Sequence, residues 1–332
     1  MPTSSMIRAT LIIATLAGLS SFLDDEESIA TQVLKAQLEI IKATKPADPV
    51  ILRLDEELAQ LEARAKKLPE ARQVAFLAAG LSPQQGLYAT FGMPDLNEFS
   101  KLLLGKAHYP KVDLHREAFA GRDLSAEIRA AYQCCAKAHG GPLPRAPLYK
   151  VAFGYQRTTN AQMQGIDSKL QRHIVVLNRS ALAPGRLWDA AIIHETWHCF
   201  QPVVERNTLW ERALHEGVVT HLTQVVNPTL DDATVVLWSK EEWDAAMKHK
   251  DAIVKAFAVD RASADQSVIS NWMILGKGLP QIPEAPSRCG YFVALLASRA
   301  WQAEHPDKGP AELIAAPAEE IWQAFTKKTA PK

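Results

Sequence analysis

Hydrophobic residues recur at the three- and four-residue spacing of a helix along most of the chain. One apolar stripe runs through 24–45 and a second through 50–68, with Pro46 and Pro49 between them, so the pattern predicts a helical hairpin. The same spacing predicts further helices over the segments 69–80, 95–105, 123–139, 182–200, 208–226, 231–259, 263–275, 289–304 and 310–326. We therefore expect a mostly helical chain.

Strand patterns are concentrated in one region in the middle of the chain. Segment 148–155 alternates apolar and polar residues and is rich in β-forming residues, and 172–178 is a second candidate strand after a polar connection. Glycine and proline are frequent in 139–147, which predicts a boundary there. We expect an α+β, mostly helical fold, in which a helical region over 24–147 precedes a domain over 148–332.

Composition narrows the class of partner. The chain has 332 residues, 47% hydrophobic and 22% charged, so it can bury a large core. Lys+Arg and Asp+Glu both number 37, and without a basic excess we expect no nucleic-acid partner and no binding to an anionic membrane surface. The four cysteines include no C-x-x-C pair, so neither a cysteine zinc site nor a dithiol redox site is expected. The remaining expectation is a small-molecule or protein substrate.

The N-terminus carries an apolar segment. Arg8 is followed by a mostly apolar run from Ala9 to Leu23 and then by four acidic residues. This length suits the core of a signal peptide, whereas a spanning helix needs about 17–25 apolar residues. We expect residues 1–23 to be a signal peptide, which predicts an exported (periplasmic or secreted) protein with no stable membrane insertion after cleavage. The alternative is an apolar helix packed on the fold of a cytoplasmic protein.

The segment AAIIHETWHCFQ (190–201) contains the most specific motif of the sequence. His194 and His198 are four residues apart, so both imidazoles lie on one helix face and can bind a single zinc ion. Glu195 lies about 100° around the helix, where its carboxylate can accept a proton from water without binding the metal. The alternative is an ordinary buried helix with two core histidines, which gives no reason for a glutamate among uncharged neighbours.

A third metal ligand is expected on the next predicted helix, TLWERALHEGVVTHLTQ (208–224). Glu216 is the best candidate, because Gly217 beside it allows two helices to approach closely. His215 is the neighbouring alternative, and His221, five residues after Glu216, points elsewhere on the helix but could line a cleft. The metzincin pattern is disfavoured, since no third histidine follows shortly after the first pair.

The two motifs together resemble a known class of enzyme. HETWH followed by HEGVVTH is similar to the gluzincin peptidases, whose third zinc ligand is a glutamate on the next helix. A closer resemblance is to a bacterial family of predicted zinc-dependent proteases of largely unassigned function, in which a strand–loop–strand precedes the zinc helix. An Asn-Trp helix and a Gly-Tyr helix follow in that family, and SNWMILGKGLP (270–280) and RCGYFVALLASRAW (288–301) match them. The resemblance covers roughly 148–325, and Ala294 stands where the family tends to have a second glycine.

The resemblance implies a zincin-like catalytic domain with a small sheet ahead of the HExxH helix. It implies one zinc ion (Zn²⁺) per chain, bound by His194, His198 and Glu216, with Glu195 as the general base. The implied reaction is the hydrolysis of peptide bonds in a peptide or protein substrate by a metal-activated water. Two alternatives remain open: a non-proteolytic zincin-like binding module, and a zinc hydrolase of a non-peptide amide.

Two further expectations concern the substrate. The oxyanion of the reaction needs a donor besides the metal, and Tyr291 is the expected donor because gluzincins often use a tyrosine or histidine from a C-terminal helix. His221 and Arg288 are the alternatives for that role. The strand 172–177 is a candidate edge on which an extended peptide could pair, although an ordinary buried strand fits the same residues.

Overall fold

The computed structural model describes residues 26–91, 93–106, 119–153, 161–179, 181–182, 186–274 and 276–329. The predicted signal peptide over 1–23 lies outside these residues. Within the described ranges, no helix combines the length and the apolar character that crossing a membrane requires.

The fold is α+β and mostly helical, as the sequence predicts, and the described residues form a sheet of four strands, two more than were predicted. The strands are β1 (Val50–Arg53), β2 (Leu148–Ala152), β3 (Ala161–Asp167) and β4 (Arg172–Asn178). The helices are α1 (Glu26–Ala43), α2 (Leu54–Ala65), α3 (Glu70–Leu81), α4 (Gln85–Thr90), α5 (Leu96–Leu103), α6 (Leu124–His139), α7 (Arg186–His198), α8 (Leu209–Val226), α9 (Asp232–Val235), α10 (Lys240–Lys248), α11 (Lys250–Asp260), α12 (Gln266–Met273), α13 (Cys289–Glu304), α14 (Pro310–Ala315) and α15 (Ala318–Thr329).

The second predicted helix, over 50–68, forms only from Leu54 onward. Residues Val50–Arg53 form β1, which pairs in parallel with β2, and Val50 to Leu52 are buried. A short apolar run with buried side chains is typical of a parallel strand, and the leucine spacing of a helix begins only at Leu54. Helix α1 packs mainly on α3 rather than on α2, so the predicted hairpin does not form.

Two predicted helices are each interrupted at a residue whose backbone does not continue a helix. The predicted helix over 231–259 breaks at Leu237, which has a left-handed φ of 55°, and restarts behind a capping box of Ser239 and Glu242. The predicted helix over 310–326 divides into α14 and α15 at Pro317, which cannot continue the hydrogen-bond ladder of α14.

The strand order of the sheet is β1-β2-β4-β3. Strands β3 and β4 are neighbours joined by a turn of only a few residues, so they form a hairpin. Of the two alternatives for 172–177, the ordinary internal strand is the one that forms, because β4 lies between β2 and β3. The edge strand on this side of the sheet is β3, whose residues the sequence predicts as a polar connection. Three of its seven residues are exposed, so the strand lacks the hydrophobic pattern by which it could be recognised.

The described residues fall into two compact units. The first takes those up to 120 together with those of 148–160 and 176–181, and the second takes those of 121–147, 161–175 and 182–332. Helix α6 belongs to the second unit, although it precedes the predicted boundary near 148, and β2 belongs to the first. Every predicted site residue lies in the second unit.

Helices α8 and α13 form the centre of the second unit and pack closely. A Cβ atom at Gly217 would overlap the Cβ and main chain of Ala294, so only glycine permits this approach. The approach is also close at Gly290, where a Cβ would displace the sulfur of Met273 on α12 and come near the main-chain oxygen of Trp272. Ala294, where the resembled family tends to have glycine, is therefore the residue that fills the space left by Gly217.

Candidate metal centre

Helix α7 carries the first two candidate ligands and is anchored in the core of its unit. Residues 190–193 and Trp197 are buried, and the helix ends at His198, shortly before Pro202. Helix α8 then begins behind a capping box in which Thr208 and Glu211 satisfy each other's main-chain amides. The loop between α7 and α8 lets α8 return past α7, which brings Glu216 to the two histidines.

The three predicted ligands meet in a nearly equilateral triangle. The Nε2 atoms of His194 and His198 are 3.2 Å apart, and the Oε2 atom of Glu216 lies 3.2 Å from the first and 3.3 Å from the second. These residues form a group of donor atoms that could hold a metal ion. His215, the alternative ligand, does not belong to this group.

The size and chemistry of the triangle fit zinc. Tetrahedral coordination with zinc–ligand bonds of about 2.0–2.1 Å separates the ligand atoms by about 3.3–3.4 Å, which agrees with the three observed distances. Two imidazole nitrogens and one carboxylate oxygen are also a ligand set typical of catalytic zinc, in which the fourth position stays open. The side chains are partly shielded, with 13%, 6% and 20% of their surface exposed for His194, His198 and Glu216.

Gln201, which was not among the predicted site residues, orients the ring of His198. Its Nε2 atom donates to the main-chain oxygen of His215 at 2.8 Å, which fixes the orientation of the amide. Its Oε1 atom must then accept from Nδ1 of His198, also at 2.8 Å, so Nε2 of that ring can offer its lone pair to the metal. The sequence signal is weak: Gln201 is a polar residue directly after the uncharged pair Cys199 and Phe200, and only the structure shows that it is buried.

Glu195 is held beside the triangle by strand β3. The main-chain amide of Met163 donates to Oε2 of Glu195 at 2.7 Å, and the carboxylate is buried. Burial raises the pKa of Glu195 above its ordinary value, and the histidines oppose that shift. A main-chain donor has no sequence signature, so this contact could not be predicted.

The charges of the triangle are mutually stabilising. Burial lowers the pKa of His198, but the charge and hydrogen bond of Glu216, the charge of Glu195 and the hydrogen bond to Gln201 together outweigh it and raise that pKa to about 9. Burial opposes ionisation of Glu216 as well, yet the two histidines hold its pKa well below the ordinary value. The ring of His215 lies 4.4 Å from that of His198, and burial together with the charge of His198 lowers the pKa of His215 to about 3. His215 is therefore a neutral packing partner of His198.

Tyr291 lies near both carboxylates. Burial raises the pKa of its hydroxyl well above the ordinary value, the charges of Glu216 and Glu195 act in the same direction, and Arg288 opposes them. The hydroxyl is therefore protonated and can donate a hydrogen bond. Tyr291 is the third residue of helix α13, which begins at Cys289.

His221 is not brought into the group. It is buried in α8, and neither ring nitrogen has a hydrogen-bond partner among the described residues. Burial lowers its pKa to about 4, and Arg299 is the charged residue that acts on it. Nothing in its described surroundings connects it with His194, His198 or Glu216, so a catalytic role for His221 finds no support in this geometry.

Comparisons with known proteins supply no relative for this site. No protein-family model, no curated protein and no solved structure matches the chain. The geometry of the residues themselves therefore carries the functional argument.

Proposed function

We propose that the chain is a zinc-dependent hydrolase of peptide bonds, of gluzincin type, with a zincin-like catalytic domain. One zinc ion per chain would be held by His194, His198 and Glu216. The observation that carries the proposal is the triangle of donor atoms with sides of 3.2–3.3 Å, the size that tetrahedral zinc requires. A chance pair of core histidines would not need a carboxylate at the same distance from both rings.

Glu195 is the proposed general base. Bound zinc supplies Lewis acidity, which polarises a carbonyl group and makes water more acidic. The Glu195 carboxylate accepts a proton from the attacking water and delivers it to the amine nitrogen of the leaving group. The amide of Met163 holds one carboxylate oxygen in place, so the base keeps its orientation through the transfer.

Tyr291 is the proposed donor to the oxyanion. Its hydroxyl is protonated and near both carboxylates of the site, and a neutral donor aimed at developing negative charge stabilises a tetrahedral transition state. The tyrosine sits on α13, which packs against α8 through Gly217 and Ala294. The donor and Glu216 are therefore held by one rigid helix pair.

A peptide substrate is favoured by the position of β3. This strand is at the edge of the sheet, and its side chains alternate between half-buried and exposed. An extended peptide can pair with such an edge through main-chain hydrogen bonds. Because Met163 on the same strand contacts Glu195, a peptide paired there would lie beside the proposed base.

The test is metal content and peptide hydrolysis of the purified protein, with Glu195→Gln and Glu216→Ala beside the wild type. We expect about one zinc per chain in the wild type and in Glu195→Gln, and little in Glu216→Ala. Hydrolysis of a peptide library should be seen only with the wild type, since general-base catalysis typically contributes about 10²–10⁴-fold. A wild-type protein that takes up no zinc on reconstitution would contradict the metal centre, and zinc binding without hydrolysis of any peptide would contradict the peptidase.

A further inference from the structure

Arg288 is a partly buried cation that no carboxylate of the described residues pairs with. Its Nη2 atom donates to the main-chain oxygens of Val236 and Leu237, at 3.1 and 2.8 Å. Its Nε atom is buried without an acceptor. Arg299, on α13 itself, shows the usual arrangement, because its guanidinium pairs with the carboxylate of Asp232. The positive charge of Arg288 is thus left without a local counter-ion.

The guanidinium of Arg288 lies beside Tyr291, the proposed donor to the oxyanion. Its central carbon lies 5.6 Å from the centre of the Tyr291 ring. Burial lowers the pKa of Arg288, while the charges of Tyr291, Glu242 and Glu216 partly oppose that shift, so the metal-ligand carboxylate is within electrostatic range. The backbone of Arg288 has a left-handed φ of 64°, a conformation that costs free energy for a residue other than glycine.

We propose that Arg288 binds a carboxylate of the substrate, so that the site selects peptides carrying an anionic group next to the scissile bond. This inference rests on the proposed peptidase function. The carboxylate can be the free C-terminus of a short peptide or the side chain of an acidic residue, because both offer the same two oxygens. The two main-chain acceptors satisfy only Nη2, and a carboxylate can accept from the remaining donors of the guanidinium in a charge-assisted hydrogen bond.

The experiment compares kcat/KM for matched peptides within one enzyme, so that zinc loading and folding cancel in the ratio. One pair differs only in a free C-terminal acid or an amide, and a second, amidated pair differs only in an internal Glu or Gln. We expect the wild type to prefer the anionic member of at least one pair by about 10- to 100-fold, the value of a hydrogen bond to a charged group. Which pair shows the preference identifies the source of the carboxylate.

The variant Arg288→Gln should reduce this preference to a few-fold, and Arg288→Lys should restore part of it. Arg206→Gln is the matched control, because Arg206 also donates to main-chain oxygens, lacks a carboxylate partner in the described structure and is affected by the charge of Glu216. That control should keep the wild-type preference. An equal preference in the wild type and Arg288→Gln, or no preference in the wild type, would overturn the role of Arg288.

A binding measurement separates this inference from the proposed function. If no peptide is hydrolysed, calorimetric titration of the zinc-loaded protein with N-acetyl-leucine and N-acetyl-leucinamide still tests the arginine. We expect the carboxylate to bind about 10-fold or more tightly than the amide in the wild type, and this difference to disappear in Arg288→Gln. Equal binding of the two compounds by the wild type, or an unchanged difference in the variant, would refute the carboxylate site whatever the reaction is.

Discussion

Two shielded carboxylates, one in each unit, have hydrogen-bond partners of different chemistry. Asp55 in the first unit has a side chain only 1% exposed, and it accepts hydrogen bonds from Arg53 at 2.9 Å and from Arg179 at 2.8 Å. Glu216 in the second unit is 20% exposed and lies 3.2–3.3 Å from the Nε2 atoms of two histidines. The negative charge of Asp55 is balanced by arginines, and that of Glu216 by histidines.

The difference separates a structural ion pair from a candidate ligand cluster. A guanidinium has no lone pair to offer, so the Asp55 cluster is complete as it stands and cannot bind a metal. Imidazole can exchange its proton for a metal ion, so the Glu216 cluster has a second state in which zinc replaces protons. The comparison predicts that stabilisation by the Asp55 cluster does not depend on zinc, whereas stabilisation by the Glu216 cluster increases when zinc is bound.

The largest expected effect comes from neutralising each carboxylate by its isosteric amide. Asp55→Asn should lower the free energy of unfolding by about 3 kcal/mol with or without zinc, because it removes the carboxylate that Arg179 contacts and one of the two carboxylates that Arg53 contacts, the other being Glu56. Glu216→Gln should have a much smaller effect on the metal-free protein. It should, however, abolish most of the stabilisation by zinc, which reaches about 4 kcal/mol when free zinc is 1,000 times the dissociation constant.

Urea unfolding of wild type, Asp55→Asn and Glu216→Gln, each with zinc and with a chelator, measures both effects. The comparison fails if chelation lowers the stability of wild type and Glu216→Gln equally. It also fails if the destabilisation by Asp55→Asn depends on zinc.

A smaller loss of stability is expected from a substitution next to Glu216, at the close contact between α8 and α13. Gly217→Ala should destabilise the metal-free protein by about 1–3 kcal/mol, because the new Cβ overlaps Ala294. Gly86→Ala is the matched control, since a Cβ there meets nothing within 4 Å and alanine is the better helix former. Ala294→Gly in the same chain should recover part of the loss, and chemical denaturation of the single and double variants measures this. Equal stability of Gly217→Ala and wild type would show that the helix pair can separate without cost.

The smallest expected effect concerns the orientation of a ligand ring. Gln201→Leu removes the acceptor for Nδ1 of His198 and should weaken zinc binding about 10- to 100-fold. Gln201→Glu keeps that acceptor but loses the bond to the His215 oxygen, so its zinc affinity should stay near the wild-type value. Competition with a chromophoric chelator measures the dissociation constants. Loss of affinity in both variants alike would point to general disturbance of the loop rather than to the His198 contact.

Helices were the part of the fold that could be predicted from the sequence. The predicted bounds of α8 and α13 agree with the structure to within a residue, because both helices have continuous apolar faces and clear end signals. The meeting of His194, His198 and Glu216 was predicted from spacing and from a resemblance. A helix fixes the relative direction of residues four apart, and the next helix had to return past them to bury its own apolar face.

The rest depended on contacts between distant segments. Strand β3 has few apolar residues, so only its pairing in the sheet makes it a strand. The amide of Met163 reaches Glu195 because that strand lies beside α7, which no local pattern specifies. Gly217 was singled out for a close approach of helices, but its partner is Ala294 on α13, and this pairing depends on how three helices stack.

The hydrogen bond from Met163 to Glu195 has a consequence for solubility. An edge strand exposes unpaired amides and invites pairing with another molecule, the usual beginning of aggregation. In β3 the Met163 amide is donated to a carboxylate and the Gly165 amide to the Met163 sulfur at 3.0 Å, while Gly165 itself has a φ of +103° that interrupts regular strand geometry. The strand is therefore a poor template for a growing stack of chains, since two of its amides already have acceptors within the chain.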